Sequence, residues 1–351
     1  MSTQARPSRE WLVRAERSAL AHPREWDRGE GPRPRGGLLS VVVPVFNEED
    51  VLLATHERLT GVLDALPLSW EILYVDDGSQ DASPQLLDRL ADADPRVRVL
   101  HFSRNFGHQL AITAGIDAAH GDAVVVIDAD LQDPPEVIPE LVAKWREGYD
   151  VVFARRAMRV GETWFKRATA AAFYRVLNRL TEVEIPVDVG DFRLMDRRVC
   201  DVLRALPEHH RFVRGLVAWM GFRQAEVEYI RQPRLAGESK YPLRRMMRLA
   251  MDAVTSFSTL PLRWPLYAGA VAVVLGFAAI AAFAALTAVH GDVLDLLGLA
   301  LSALLVCTGA VLAAVGLLGL YLGTVLDEVR GRPLYLVDRA VGPGGEASPR
   351  E

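Results

Sequence analysis

Cysteine is nearly absent from this chain: Cys200 and Cys307 are the only two in 351 residues. They lie far apart in unlike contexts, which excludes a disulfide framework and a cysteine metal set. Excess positive charge is missing as well. The 40 Lys and Arg residues face 45 Asp and Glu, for a net charge of −5, so no nucleic-acid partner is expected. The N-terminus is rich in Arg, Pro and Glu and lacks an apolar core, so no secretory signal is read there. Two stretches lack charge altogether, Trp264 to Val289 and Leu296 to Leu326. Each is longer than the roughly 20 residues that span a bilayer core, and both are read as transmembrane helices.

The flanks of these stretches set an orientation. Arg244, Arg245, Arg248 and Arg263 precede them, Arg330 and Arg332 follow, and the connection 290–295 has no Lys or Arg. The positive-inside rule then places both termini and everything before residue 264 in the cytoplasm of a multi-pass inner (plasma) membrane protein. Between Leu243 and Phe257, apolar residues recur at helical spacing with arginines on the flanks, which fits a helix lying in the membrane interface. Gly316, Gly319 and Gly323 include a small-xxx-small pair suited to helix packing and a homo-oligomer, although glycine is also simply common in membrane helices.

The first two thirds read differently. Residues 1–37 form an Arg- and Pro-rich extension, in which 11–21 is a candidate short helix; no chemistry is assigned to it. After it, apolar β-branched runs at Leu38–Pro44, Glu71–Val75, Val97–Phe102, Ala123–Ile127 and Val151–Ala154 alternate with amphipathic segments. That order predicts an α/β domain with a parallel sheet covered on both faces. From about 164 to 229 the pattern turns helix-like, with a strand expected over 223–230. The domain limits are 38–240 for the sheet domain, 241–263 for the interfacial region, 264–289 and 296–326 for the spans, and 327–351 for a tail.

Polar loops follow four successive strands: Asn47/Glu48, Asp76/Asp77, Asn105/His108 and Asp128/Asp130. One such loop means little. Four at the carboxyl edge of one sheet predict a binding crevice. Asp128-Ala129-Asp130 sits where the fourth strand leaves the sheet, and this Asp-X-Asp can offer oxygen ligands to Mg²⁺ or Mn²⁺ and through it hold a diphosphate. The loop is expected to be exposed. Pro134-Pro135 stops the strand, with Pro135 placed to open a helix.

Six motifs occur in order: Pro-Val-Phe-Asn-Glu-Glu at 44–49, Asp-Asp-Gly-Ser at 76–79, Ser-Arg-Asn-Phe-Gly-His at 103–108, Asp-Ala-Asp-Leu-Gln-Asp-Pro-Pro-Glu at 128–136, Gly-Asp-Phe-Arg-Leu-Met-Asp-Arg at 190–197, and Gly-Glu-Ser-Lys-Tyr at 237–241. The set resembles family 2 glycosyltransferases acting on polyprenyl phosphates, and the two C-terminal spans resemble the bactoprenol (undecaprenyl phosphate) glucosyltransferase branch, related to the dolichyl-phosphate mannosyltransferases. The resemblance covers about Leu38 to Leu336. It implies a GT-A type fold and transfer of a hexose, with glucose from UDP-glucose foremost, from a nucleoside diphosphate (UDP or GDP) to the phosphate of a membrane polyprenol, with inversion.

Carried over by motif, Pro44, Phe46 and Glu48 line the nucleotide pocket, Asp77 meets the base, and Asp128, Ala129, Asp130 and Gln132 hold ribose, metal and diphosphate. Asp130 is the main metal ligand. Phe46 replaces the Tyr usual in the mannosyltransferases, so a phenol contact is absent. Asp191 matches the position proposed as catalytic base, but a phosphate monoester with a second pKa of about 6 is already ionised, so Asp191 can instead orient the acceptor or a cation. Asp188 and Asp196 are rivals, with helix capping an equal alternative. Arg211, Arg214, Ser239 and Lys240 are candidates for the lipid phosphate. Arg155 and Arg156 can contact phosphate or be solvated loop charges.

Other readings differ in class. A processive polysaccharide synthase usually carries Gln-X-X-Arg-Trp and more spans, and neither is evident here. Transfer of mannose or an aminosugar stays open. A non-catalytic sugar-nucleotide scaffold is disfavoured by intact Asp128, Asp130 and Lys240.

Overall fold

The computed structural model describes residues 33, 36–156, 189–209, 211–230, 269, 271, 274–278, 281, 282 and 294–343. The expected helices at 11–21 and 243–257 lie outside them, as do Asp188, Ser239 and Lys240. The chain divides into two units. The first comprises 1–168, 185–240 and 333–351; the second comprises 169–184 and 241–332.

In the first unit β1 (Leu38–Val45), β2 (Ser69–Asp76), β3 (Val97–Phe102) and β4 (Ala123–Val126) form parallel pairs. Their apolar runs are buried on both faces because helices cover both sides. The period of two is visible in β2: Ile72 and Tyr74 enter one core, Leu73 and Val75 the other. The intervening helices are α1 (Leu52–Asp64), α2 (Ser83–Ala93) and α3 (His108–Ala118). A Cβ on Gly115 of α3 would come within 2.2 Å of Val42, so glycine there permits close helix–sheet packing. Pro135 does open a helical turn, but a 3₁₀ turn over Pro135–Val137, which leads into α4 (Ile138–Arg146).

The sheet is mixed rather than all parallel. Two strands beyond the expected set enter it, β6 (Val189–Asp196) and β8 (Val337–Val341), and both run antiparallel to neighbours. With β5 (Val151–Arg156) and β7 (Gln224–Tyr229) the order is β7-β5-β6-β4-β1-β2-β3-β8. The 190–197 motif is therefore mostly strand, wedged between β4 and β5, before α5 (Arg197–Ala205) and α6 (Val213–Trp219). The register matters for the site. Val126 pairs with Arg193, so the same antiparallel step carries Asp191 to the level of Asp128. Part of the expected tail, 337–341, is the edge strand beside β3.

In the second unit α7 (Leu294–Arg330) contains the expected span 296–326 and continues past it. Its segment Cys307–Arg330 is long and apolar enough to cross a membrane. Of the span expected at 264–289, only scattered helical positions are described.

Candidate active site

The carboxyl edge of the sheet gathers the loops that follow β1, β2, β3 and β4. Asp77 leaves β2 almost fully buried and accepts hydrogen bonds from Phe106 N at 2.7 Å and Gly107 N at 3.0 Å. Burial raises its pKa against those two donors. Gly78 has φ +71°, and a Cβ there would meet the Arg104 carbonyl carbon at 2.5 Å, so only glycine lets the β2 and β3 loops touch. The β1 loop is tied to the β2 loop: Asn47 N donates to Ser79 Oγ at 3.0 Å, Glu48 N to Ser83 Oγ at 3.0 Å, and Gln80 N to Asn47 Oδ1 at 2.8 Å. Pro44 is buried one residue before the end of β1. Phe46, at 37% exposure, shows its ring to solvent beside these loops.

Asp128 and Asp130 follow β4 with unlike surroundings. Asp130 is buried, correcting the expectation of an exposed loop, and its Oδ1 accepts from Gln132 N at 3.1 Å. Leu131 between them takes a positive φ of 55°, a strained conformation for a residue with a γ-branched side chain. Ala129 O accepts from the Thr55 hydroxyl at 2.7 Å, which pins the loop to α1. The Asp128 Oδ1 atom is buried and has no hydrogen-bond partner; His108 Nε2 stands 3.5 Å from it outside hydrogen-bond geometry. Burial raises Asp128 to about 6 against the lowering effect of His108, aided by the nearby Asp133, Asp191 and Asp130 carboxylates.

Asp191 faces this loop fully engaged. Arg214 holds it in a fork, Nε to Oδ1 at 2.8 Å and Nη2 to Oδ2 at 2.9 Å. Gln109 Nε2 reaches Oδ2 at 3.1 Å and His108 Nε2 at 3.2 Å. Burial alone would raise the Asp191 pKa; Arg214 and His108 outweigh it and hold the carboxyl well below its usual range. Burial would lower His108 in turn, but Asp128 and Asp191 raise it to about 9. Gln109 also accepts from Val213 N at 3.1 Å, so one amide ties α3, β6 and the start of α6 together. Sequence reading gave Gln109 no role. The only signal was its place after Gly107 at a helix start.

Other candidates have structural partners. Arg211 is buried and donates to Leu203 O at 2.7 Å and Leu206 O at 2.6 Å, closing the C-terminal end of α5. Asp196 caps α5 through Arg198 N at 3.0 Å and also accepts from Trp145 Nε1 at 2.8 Å. Arg155 pairs with Glu226 and Glu228 of β7, and Arg156 donates to the Tyr229 hydroxyl at 3.3 Å. Tyr229 in turn donates to the buried Asp133.

A divalent ion suits this site. The orphaned Asp128 oxygen lies beside Asp130, while no set of three His, Cys, Asp or Glu side chains among the described residues forms a closed metal cage. Mg²⁺ and similar hard ions are commonly held by one or two carboxylates plus substrate phosphates, not by an all-protein cage.

The glycosyl transferase family 2 profile matches residues 40–204. An uncharacterized glycosyltransferase of Bacillus subtilis, YkcC, is 50% identical over 86% of this chain and 94% of its own. The bactoprenol glucosyl transferase of Shigella phage SfII is 40% identical over 86% of this chain and 98% of its own. Among solved structures, glucosyl-3-phosphoglycerate synthase of Mycobacterium tuberculosis is more distant, with 20% identity and a TM-score of 0.43 over 72% of this chain and 84% of that one. With sequence relatives this similar over nearly their whole length, the chain belongs to glycosyl transferase family 2.

Proposed function

We propose that this enzyme transfers glucose from a nucleoside diphosphate, UDP foremost, to the phosphate of a membrane polyprenol. The observation that carries the reading is the meeting of Asp128, Asp130, His108, Asp191 and Arg214 at one sheet edge. The 40% identity to a bactoprenol glucosyl transferase supports the substrate pair.

In the proposed reaction an oxygen of the acceptor phosphate attacks the anomeric carbon, and the bond from that carbon to the diphosphate breaks with its electron pair leaving on the nucleotide. Attack opposite the leaving group inverts the centre. The acceptor is mostly dianionic at neutral pH, since its second pKa is about 6, so no proton has to be removed. Asp191 suits a positioning role better than a base: it is ionised well below neutral pH and its oxygens are engaged by Arg214, Gln109 and His108. It would hold Arg214 as a directional cation for the acceptor phosphate. Ser239 and Lys240 are proposed partners in that seat. Arg211, spent on the end of α5, is left out of it. Asp128 and Asp130 would hold Mg²⁺ or Mn²⁺, which supplies Lewis-acid neutralisation of the leaving diphosphate. The Asp77 loop, with Pro44, Phe46, Glu48, Ala129 and Gln132, would take the nucleoside and ribose.

The membrane arrangement belongs to the same reading. The spans 264–289 and 296–326 would return both termini to the cytoplasm, with residue 292 outside and the helices pairing copies of the chain through Gly319 and Gly323. The apolar character of Cys307–Arg330 and the arginine flanks support it. The test is to offer radiolabelled UDP-glucose, UDP-galactose, UDP-N-acetylglucosamine and GDP-mannose to membranes holding the protein, and to extract the lipid. Labelled lipid from UDP-glucose above all others is expected. Label from another sugar alone would replace the donor, and nucleotide release without labelled lipid would overturn the acceptor.

A further inference from the structure

The segment that follows α7 in the chain is bound to one crevice loop directly and reaches a second through a line of side chains. Leu336 O accepts from Ser103 N at 3.0 Å. The Tyr335 ring stacks on Phe102 with centroids 5.1 Å apart, and its hydroxyl donates to Asp117 at 2.9 Å. Phe102 meets Phe106 edge-on at 5.6 Å. Residues 335 and 336 therefore brace the 103–107 loop whose N–H groups hold Asp77.

A second connection runs through side chains. Arg339 of β8 grips Asp88 of α2 with both terminal nitrogens, at 2.9 and 2.8 Å. Asp88 Oδ1 lies 2.9 Å from His101 Nε2, and His101 Nδ1 lies 2.8 Å from Asp76 Oδ2. Asp76 Oδ1 accepts from Ser79 N at 2.9 Å, fixing the turn that carries Asp77. His101 and Asp76 are both buried, so this line of contacts is shielded from water along its inner half. Its outer end is not: Arg339 is 45% and Asp88 28% exposed. An exposed ion pair of that kind adds little to stability. Its geometry is better explained by what the inner end holds.

We propose that Tyr335 and Arg339 are positioning residues for the donor nucleotide, holding the 76–79 and 103–107 loops at the spacing that the nucleoside requires. This rests on the reading above, in which the Asp77 loop takes the base. Neither residue touches substrate. Each acts through loops it braces, so its loss weakens donor binding and leaves the lipid seat alone.

The experiment uses the full chain in lipid vesicles with Arg339→Gln, Arg339→Lys, Tyr335→Ala and Tyr335→Phe. Calorimetry with UDP gives Kd, and steady-state assays give KM separately for UDP-glucose and undecaprenyl phosphate. Arg339→Gln should raise the UDP Kd and the donor KM about tenfold, which is about 1.4 kcal/mol. The lipid KM should stay within about twofold, as expected for a distant site. Arg339→Lys should recover part of the loss. Tyr335→Phe, which keeps the stacking, should weaken UDP less than Tyr335→Ala. Equal rises in both KM values, or unchanged donor constants with a lower Tm, would overturn the proposal. Should Tyr335→Ala fail to fold, Arg339→Gln on its exposed side chain decides alone. Absence of UDP binding by the native chain would sink the donor reading and this proposal together; UDP binding equal in native and variant chains would sink the proposal only.

Discussion

Each end of the β4 region of the sheet holds a nest of buried carboxylates, and the two nests differ in how they are closed. At the amino end Asp150 accepts from Arg33 at 2.7 Å, Arg198 at 2.5 Å and Arg223 N at 3.2 Å. Beside it Asp196 accepts from Arg198 N, Trp145 and Arg33. Arg33, in the extension to which no chemistry was assigned, is thus a structural counter-charge. At the carboxyl end Asp191 is closed in the same manner by Arg214, Gln109 and His108, but Asp128 keeps a buried oxygen without a hydrogen bond. The Asp128 side chain is 29% exposed and has only the His108 ion pair beside that oxygen, so it can take a further partner. The amino-end nest is neutralised within the fold; in the proposed reading the carboxyl-end nest keeps a place for a metal ion.

Substitution at the open nest should have the largest effect on turnover. Asp128→Asn should lower glucosyl transfer on the order of 10²–10³-fold, as does loss of a group that stabilises developing charge. Its Tm should stay near the native value, because the ion pair with His108 is given up as a carboxylate crowded by Asp130, Asp133 and Asp191 is removed. A fall in Tm with normal turnover would reverse the comparison.

The closed nests should respond in the opposite sense. Asp196→Ala takes the acceptor from the Trp145 N–H and removes one of the two carboxylates that Arg33 and Arg198 share, Asp150 remaining, and removing one partner of a buried ion pair costs up to about 3–5 kcal/mol. The denaturant midpoint should drop accordingly, while turnover per folded molecule stays near native. Arg214→Ala stands between: Arg214 is 31% exposed, so about 2 kcal/mol of stability is expected to go, together with most activity. Retained activity would remove Arg214 from the acceptor seat.

A smaller effect lies in acid. Asp191 titrates well below its usual range in the fold, whereas an unfolded Asp titrates near about 3.9. A depressed carboxylate contributes stability that is full above the unfolded value and is lost as pH falls through the folded one. Native stability should therefore decline below about pH 4 more steeply than that of Asp191→Asn. Parallel acid curves would mean that Asp191 is not held ionised by its neighbours.

The same contrast explains what could be read in the sequence. The strands β1 to β5 announced themselves as largely apolar runs, the first four leading into loops that carry Asp or Asn, because burial on both faces favours apolar residues at most positions. β6 did not, because Asp191, Arg193 and Asp196 lie along it and are buried in ion pairs and hydrogen bonds that only the fold supplies. β8 is a five-residue edge strand with much of its surface exposed, and carries almost no apolar signal. Asp128 and Asp130 could be picked out as a pair because their spacing is local. The roles of Arg211, Gln109 and Arg33 were not, since each depends on carbonyls or carboxylates that are distant in the chain or fixed by how a helix ends.

Manganese binding in the presence of UDP tests the distinction between the nests most directly, since it needs no turnover. Titration of Mn²⁺ into the native protein, Asp128→Asn and Asp196→Asn, followed by electron paramagnetic resonance, should show UDP-dependent binding to the native and Asp196→Asn chains and its loss in Asp128→Asn. Equal Mn²⁺ affinity in all three proteins would contradict the account.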